Sequence, residues 1–286
     1  MENTNIEKSQ DRLNVLKKIE EYERKGWFDK DVEEDPPSRT LMPDEVDYLN
    51  KKLKNKIATT YAYALAKKFL KKIIKEKQMI IKDTIGIENL QHLKTGAVLT
   101  CNHFNAFDSF AIHTLFLNSK QNHKKFYRVI KEGNYVNFPG FYGLLMRHCH
   151  TLPLSSNRKT LEKFLNAVDT ILKRGDFVLV YPEQSMWWNY KKPKPLKPGA
   201  FRFAVKNNVP VLPCFITMQD SDIMGPDGFY VQEYTIHISK PLYPNTELSK
   251  SEQIQDLLDR NYNEWKNIYE NTYGIKLEYS TETDNN

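Results

Sequence analysis

From residue 78 onward, short β-rich runs alternate with helix-length amphipathic runs, and few folds accommodate that pattern. Candidate strands are residues 79–87, 97–102, 126–130, 151–154, 177–181, 209–216 and 230–239. Candidate helices are 106–118, 138–148, 159–174, 200–207 and 251–269. In 159–174, Leu161, Phe164, Leu165, Val168, Ile171 and Leu172 share one face, and Gly175 ends the run. Phe177-Val178-Leu179-Val180 is apolar throughout, as a strand buried in a sheet must be. The expected fold class is α/β, with a mixed, largely parallel sheet flanked by helices and an N-terminal helical segment.

Ahead of that pattern, residues 10–25 read as a short amphipathic helix. Residues 26–43 read as a loop stopped by Asp35-Pro36-Pro37-Ser38 and Pro43. A second helix is expected to open at Asp44 and Glu45 and run to about Lys77, with a break near Thr59-Thr60. Its stretch 51–77 carries ten lysines and one glutamate, with Leu53, Ile57, Tyr61, Leu65, Phe69 and Ile73 near helical spacing. An oily face in basic surroundings suits a helix lying among lipid headgroups, and equally a solvated helix packed through its apolar stripe. The expected organisation is a helical, membrane-associating segment (1–77), an α/β domain (78–273) and a polar, frayed tail (274–286).

No run approaches the roughly 20 apolar residues that span a bilayer, and the mean hydropathy is −0.64. The first eight residues lack a basic region followed by an apolar stretch, so no secretory signal is expected. The expected location is cytoplasmic, peripheral on the cytoplasmic face of a membrane. Cys101, Cys149 and Cys214 lie far apart in apolar runs, which disfavours a disulfide framework or a zinc site; no metal is expected. The net charge of +6 gathers in lysine-rich stretches that suit anionic lipid, an acidic carrier protein or nucleic acid. No nucleic-acid reading motif accompanies them, so nucleic acid is not an expected partner.

Chemistry concentrates where strands end, the usual place for sites in open α/β sheets. Residues 97–102 deliver His103 into a loop, and Asp108 stands near the start of the next helix. A histidine held by a carboxylate on one ring nitrogen can accept a proton on the other. Residues 177–181 end in Tyr181-Pro182-Glu183-Gln184-Ser185, bringing a carboxylate out of a buried strand. Val209-Pro210-Val211-Leu212-Pro213 reads as an edge strand or a bent strand end, because proline cannot donate to a ladder. Residues 150–158 end another strand beside Arg158. Met186-Trp187-Trp188 and Tyr190, followed by Lys191, Lys192 and Lys194, suit a headgroup-depth anchor or the mouth of an acyl tunnel; packing in a core and at a domain junction serves nearly as well.

In order and spacing these blocks resemble the glycerolipid acyltransferase superfamily over roughly residues 80–240. The family's His, four residues, Asp is met by His103 and Asp108, preceded by Asn102. Its Pro-Glu-Gly block is similar to Pro182-Glu183-Gln184, and its Val-Pro-x-x-Pro block to Val209–Pro213. The resemblance implies transfer of a fatty acyl group from acyl-CoA or acyl carrier protein to the hydroxyl of a lysophospholipid, foremost 1-acylglycerol-3-phosphate. It implies no cofactor beyond the acyl donor. His103 and Asp108 are then the catalytic pair, and Asn102, Arg158, Glu183, Gln184, Ser185 and Lys191 the candidate substrate-binding residues. Oxyanion donors are expected among the backbone N–H groups opening the helix at Ala106. Gln184, Ser185 and Met186 stand where the family continues Gly-Thr-Arg, so the arginine directed at an acceptor phosphate is absent there. Arg158, Lys191 or Lys192 are candidates to supply that charge, and a different acceptor headgroup is the alternative.

Overall fold

The computed structural model describes residues 7–282. Six residues of the N-terminal reading and the last four of the polar tail lie outside it. In chain order the elements are α1 (Gln10–Arg24), α2 (Leu53–Lys75), β1 (Ile80–Ile85), α3 (Ile87–Gln91), β2 (Ala97–Thr100), α4 (Asp108–Asn118) and β3 (Phe126–Lys131). They continue with α5 (Glu132–Asn137), α6 (Gly140–His148), β4 (Thr151–Leu154), α7 (Arg158–Lys173) and β5 (Phe177–Val180). The last are α8 (Gly199–Asn207), β6 (Val211–Met224), β7 (Tyr230–Ile238) and α9 (Lys250–Tyr273).

The strands form one sheet in the order β1-β7-β6-β2-β5-β3-β4. All neighbouring pairs are parallel except β6 with β7. β2 and β5 lie at its centre, and pleating divides their side chains. Ala97, Leu99, Phe177 and Leu179 pack with Ala111, Ile112, Leu115 and Phe116 of α4 and with Leu70 and Ile73 of α2. Val98 and Val178 pack on the other face with Phe164, Val168 and Ile171 of α7, Phe201 of α8 and Leu257 of α9. A strand apolar on every residue is therefore covered twice. Because β2, β5, β3 and β4 run parallel, the loops after them open along one edge of the sheet.

Several boundaries differ from expectation for identifiable reasons. α2 opens at Leu53, not at Asp44, because Asp47 accepts from the N–H groups of Lys51 and Lys52 and holds a turn ahead of the helix. Glu45 instead forms a two-pronged pair with Arg39. No break occurs at Thr59-Thr60; Thr60 returns its hydroxyl to the Lys56 carbonyl within a continuous helix. β6 is interior, contrary to the reading of residues 209–216 as an edge or bent end. Pro210 precedes the strand, and Pro213 lies level with Ser239, just past the end of β7, where no ladder donor is required. The tail is not frayed as far as residue 282: Ser280 and Thr281 bond to Glu23, and the Glu282 N–H to the Arg24 carbonyl.

Candidate active site

β2 stops at Thr100, and the next residues are fixed by side chains in place of a ladder. The Asn102 amide donates to the Ile216 carbonyl at 3.0 Å and accepts from its N–H at 2.8 Å, so it acts as one further rung on β6. His103 follows at the sheet edge. Its Nδ1 lies 2.7 Å from Asp108 Oδ2, and the imidazole side chain is 25% exposed while the carboxylate is 1% exposed. An ionised carboxylate only accepts, so Nδ1 carries the proton toward Asp108 and Nε2 presents a lone pair. Nε2 has no hydrogen-bond partner among the described residues.

Asp108 is itself held on every side. Its Oδ2 also accepts from the N–H groups of Phe104 and Asn105, and its Oδ1 accepts the Tyr181 hydroxyl at 2.7 Å. The Tyr181 ring stacks on the imidazole with centroids 4.1 Å apart. Burial, then the adjacent Asp108, pushes the Tyr181 phenol far above its usual range, so it stays a donor. The Phe107 N–H bonds to the Asn105 side chain and the Asp108 N–H to the Asn105 carbonyl. Four of the N–H groups around the start of α4, where oxyanion donors were expected, are thus committed to holding the loop.

The loop after β5 clasps the His103 loop. Glu183 Oε2 accepts the His103 N–H at 3.0 Å, the Trp187 N–H donates to the His103 carbonyl, and the Asn189 N–H to the Phe104 carbonyl. Lys194 fastens the clasp from below: its N–H bonds Glu183 Oε1, and its ammonium bonds the Ser185 carbonyl and hydroxyl, each at 2.7 Å. Lys194 and Glu183 are both fully buried with charges 3.9 Å apart. Burial lowers the Lys194 ammonium to about 8 against the opposing pull of Glu183, and burial likewise raises the Glu183 carboxyl.

A histidine–carboxylate pair at the open edge of a largely parallel sheet is built to move a proton, and it lies within the stretch that a family comparison matches. Residues 83–217 match the family model described as Acyltransferase. The chain carries an acyltransferase domain over that stretch. The resemblance read from the ordered blocks is borne out. Among solved structures, the chain is similar to one described as the crystal structure of the 1-acyl-sn-glycerophosphate (LPA) acyltransferase, PlsC, from Thermotoga maritima. That likeness has 19% identity and a TM-score of 0.47, and it covers 79% of this chain and 99% of the other. No curated protein matches the chain.

Within this acyltransferase the candidate binding residues fall into distinct places. His103 and Asp108 are brought together. Asn102, Glu183 and Ser185 are buried and spent on structure: Asn102 on Ile216, Glu183 on the His103 N–H and Lys194, Ser185 on the Phe28 carbonyl and Lys194. None of the three is free to bind a substrate, which corrects that expectation. Gln184 is exposed at the turn with φ +67°, a conformation that glycine adopts without strain. Arg158 is 92% exposed, paired with Glu162 on its own helix after edge strand β4. Three strand spacings separate β4 from β2, roughly 14 Å, so Arg158 is not brought to His103. Lys191 reaches over the Tyr273 ring of α9, on the face opposite α4, and Lys192 pairs with Glu23.

Trp187 and Trp188 are 0% and 6% exposed, so neither anchors in headgroups. Trp187 packs among Phe28, Tyr22 and Tyr190 and donates to the Lys30 carbonyl; Trp188 meets Phe229 and the Arg12 guanidinium. Three contributors escaped the sequence reading. Tyr181 stands just before the Pro-Glu block, where strand-end position was its only signal. By sequence Lys194 groups with Lys191 and Lys192 as part of a headgroup anchor or tunnel mouth. The segment 26–43 reads as a plain loop, but it crosses the sheet edge beside the site.

Proposed function

We propose that this acyltransferase moves a fatty acyl group from acyl-CoA or acyl carrier protein to the hydroxyl of a lysophospholipid at an anionic membrane surface, as a peripheral protein of the cytoplasmic face. The observation that carries the reading is the His103 Nδ1–Asp108 Oδ2 contact of 2.7 Å on a partly exposed imidazole. In the reaction, Nε2 takes the proton from the acceptor hydroxyl as its oxygen attacks the thioester carbonyl carbon. The tetrahedral adduct collapses, the carbon–sulfur bond breaks, and the imidazolium returns its proton to the leaving thiolate. Asp108 holds the productive tautomer and stabilises the transient cation, and general-base help of this kind contributes about 10²–10⁴-fold. The step requires no covalent enzyme intermediate. Cys101 is buried, and burial, then the Asp108 charge, raises its thiol well above the usual range, the opposite of an activated nucleophile.

Support for the membrane surface comes from α2. Leu53, Ile57 and Tyr61 are 73%, 64% and 60% exposed and stand among exposed Lys51, Lys52, Lys54 and Lys56. Farther along the helix Leu70 and Ile73 are buried on the domain. The stripe read as one continuous oily face is thus divided, half for packing and half turned outward. Among the described residues no helix is long and apolar enough to cross a membrane.

The deciding experiment is an acyl-transfer assay with long-chain acyl-CoA and acyl carrier protein donors against 1-acylglycerol-3-phosphate and other lysolipids, run beside His103→Ala. Transfer that depends on His103 is expected. Transfer that survives the substitution removes His103 as the base.

A further inference from the structure

The segment after α1 crosses the carboxyl ends of three strands beside the site. The Phe28 carbonyl accepts from Ser185 after β5, Asp31 and Asp35 grip Lys131 at the end of β3, and Leu41 bonds Glu132, Ser155 and Thr160 around the ends of β3 and β4. The crossing stretch reads Asp29-Lys30-Asp31-Val32-Glu33-Glu34-Asp35, with Val32 buried as its apolar foot. We call it the strap.

Lys131 is placed to meet an acceptor headgroup. In the β3–β5 register Arg128 pairs with Leu179, so three residues on Lys131 is level with Pro182. In the β2–β5 register Thr100 pairs with Val180, so three residues on His103 is level with Glu183. The two residues therefore end at nearly the same height, with Lys131 on the α7 face of the pleat and His103 beside α4. They stand two strand spacings apart, about 10 Å. A headgroup that crosses the sheet edge from His103 toward the α7 side comes to Lys131.

That charge is already answered. Lys131 Nζ lies 2.6 Å from Asp31 Oδ2 and 2.7 Å from Asp35 Oδ2, two carboxylates on one ammonium. Most neighbouring cations are also paired, Lys197 with Asp29, Lys192 with Glu23, Arg12 with Glu33, and buried Lys194 with Ser185 and Glu183, while Lys30 of the strap lies over the Trp27 ring. Of the other candidates, Lys191 lies over Tyr273 of α9 and Arg158 lies beyond β3 with its own partner. A phosphomonoester dianion entering here meets a strap with five carboxylates and one lysine. Juxtaposed like charges discriminate strongly between otherwise similar partners.

Resting on the acyltransferase reading above, we infer that the strap sets acceptor selectivity: Asp31 and Asp35 neutralise Lys131, so the lipid acylated here carries a zwitterionic or uncharged headgroup and no phosphomonoester. The absent arginine after Glu183 and the occupied lysine are then two parts of one change in specificity.

The test compares kcat/KM for three acceptors sharing one acyl chain: 1-acylglycerol-3-phosphate, its phosphocholine or phosphoethanolamine counterpart, and monoacylglycerol. The wild-type protein is expected to favour the last two. The Asp31→Asn/Asp35→Asn variant keeps the shape of the strap and releases Lys131. It is expected to shift the ratio toward the phosphomonoester by about tenfold or more, chiefly through KM, as expected when like-charge repulsion is removed. Adding Lys131→Met is expected to erase that shift. Binding of 1-acylglycerol-3-phosphate without donor, followed by calorimetry, is expected to tighten in the double variant alone. A wild-type preference for the phosphomonoester, or a ratio indifferent to all three substitutions, overturns the inference and leaves the acyltransferase reading intact. Absence of transfer to every acceptor overturns both.

Discussion

The Tyr181 hydroxyl occupies the one oxygen of Asp108 that His103 leaves open, while its ring lies against the imidazole it helps to orient. Removing that hydroxyl leaves the stack in place and frees the carboxylate to rotate. Tyr181→Phe is therefore expected to lower kcat by about tenfold with little change in KM, in keeping with the loss of one charge-assisted hydrogen bond. His103→Ala is expected to cost about 10²–10⁴-fold, the worth of a positioned base. Steady-state kinetics on the three proteins decides it. Equal losses in Tyr181→Phe and His103→Ala make Tyr181 more than an orienting group, and no loss makes its bond to Asp108 incidental.

Lys194 is expected to matter for stability more than for chemistry. Lys194→Met leaves Glu183 buried with one cation fewer, and breaking a buried pair from one side costs about 3–5 kcal/mol. Glu183→Gln/Lys194→Met removes both charges and is expected to recover a large part of that loss. Thermal unfolding of the two variants checks this. A double variant no more stable than Lys194→Met alone shows that the polar contacts to Ser185, and not the ion pair, hold the clasp.

What the sequence made legible follows from how each signal arises. Strands such as Phe177–Val180 and the face of α7 declare themselves because burial imposes a period on local residues. His103 and Asp108 stand five apart across one turn, so their partnership is also a local relationship. Asn102, Glu183 and Ser185 were expected at the substrate because their segment is near the chemistry. Their real partners, Ile216, the His103 N–H and Phe28, are distant in sequence and invisible to spacing. The strap was hidden for the same reason. Its acids read as loop polarity until the fold set Asp31 and Asp35 against Lys131, about a hundred residues away. The tryptophans stayed open between two readings because an aromatic pair beside lysines has the same composition whether it faces lipid or fills a core.

A buried histidine cluster between α2 and β3 predicts acid lability. His150 Nδ1 meets the Tyr63 hydroxyl at 2.7 Å, and burial, then the charges of Lys125, Arg128 and Arg174, lowers its imidazole to about 4. His113, buried beside Tyr63 and Phe126, is lowered to about 2, again chiefly by burial. Both groups stay neutral in the folded state while the unfolded chain takes up protons near the ordinary value of 6.5. The unfolded state thus binds more protons below that pH, so stability falls as pH drops. The fall begins near 6.5, and the His150 contribution to it levels off near 4. Each group contributes a slope of at most about 1.4 kcal/mol per pH unit. Urea unfolding between pH 7 and 4 is expected to show this decline, shallower in His150→Gln. An unchanged slope in that variant assigns the acid sensitivity elsewhere.

The outward half of α2 yields the prediction that bears on location. Leu53 and Ile57 lie mostly in solvent, so Leu53→Ser/Ile57→Ser is expected to change folding stability by less than about 1 kcal/mol in total. If those side chains enter a bilayer surface, each forfeits about 1.5–3 kcal/mol of burial there, and affinity for vesicles falls at least about tenfold. Replacing Lys52 and Lys56 by glutamate is expected to weaken binding to anionic vesicles by about 1 kcal/mol or more per residue, with little effect on neutral vesicles. Co-sedimentation with phosphatidylglycerol-containing and pure phosphatidylcholine vesicles measures both effects, with thermal unfolding as the control for folding. Undiminished sedimentation of the serine variant with anionic vesicles means that the exposed stripe is not the membrane contact.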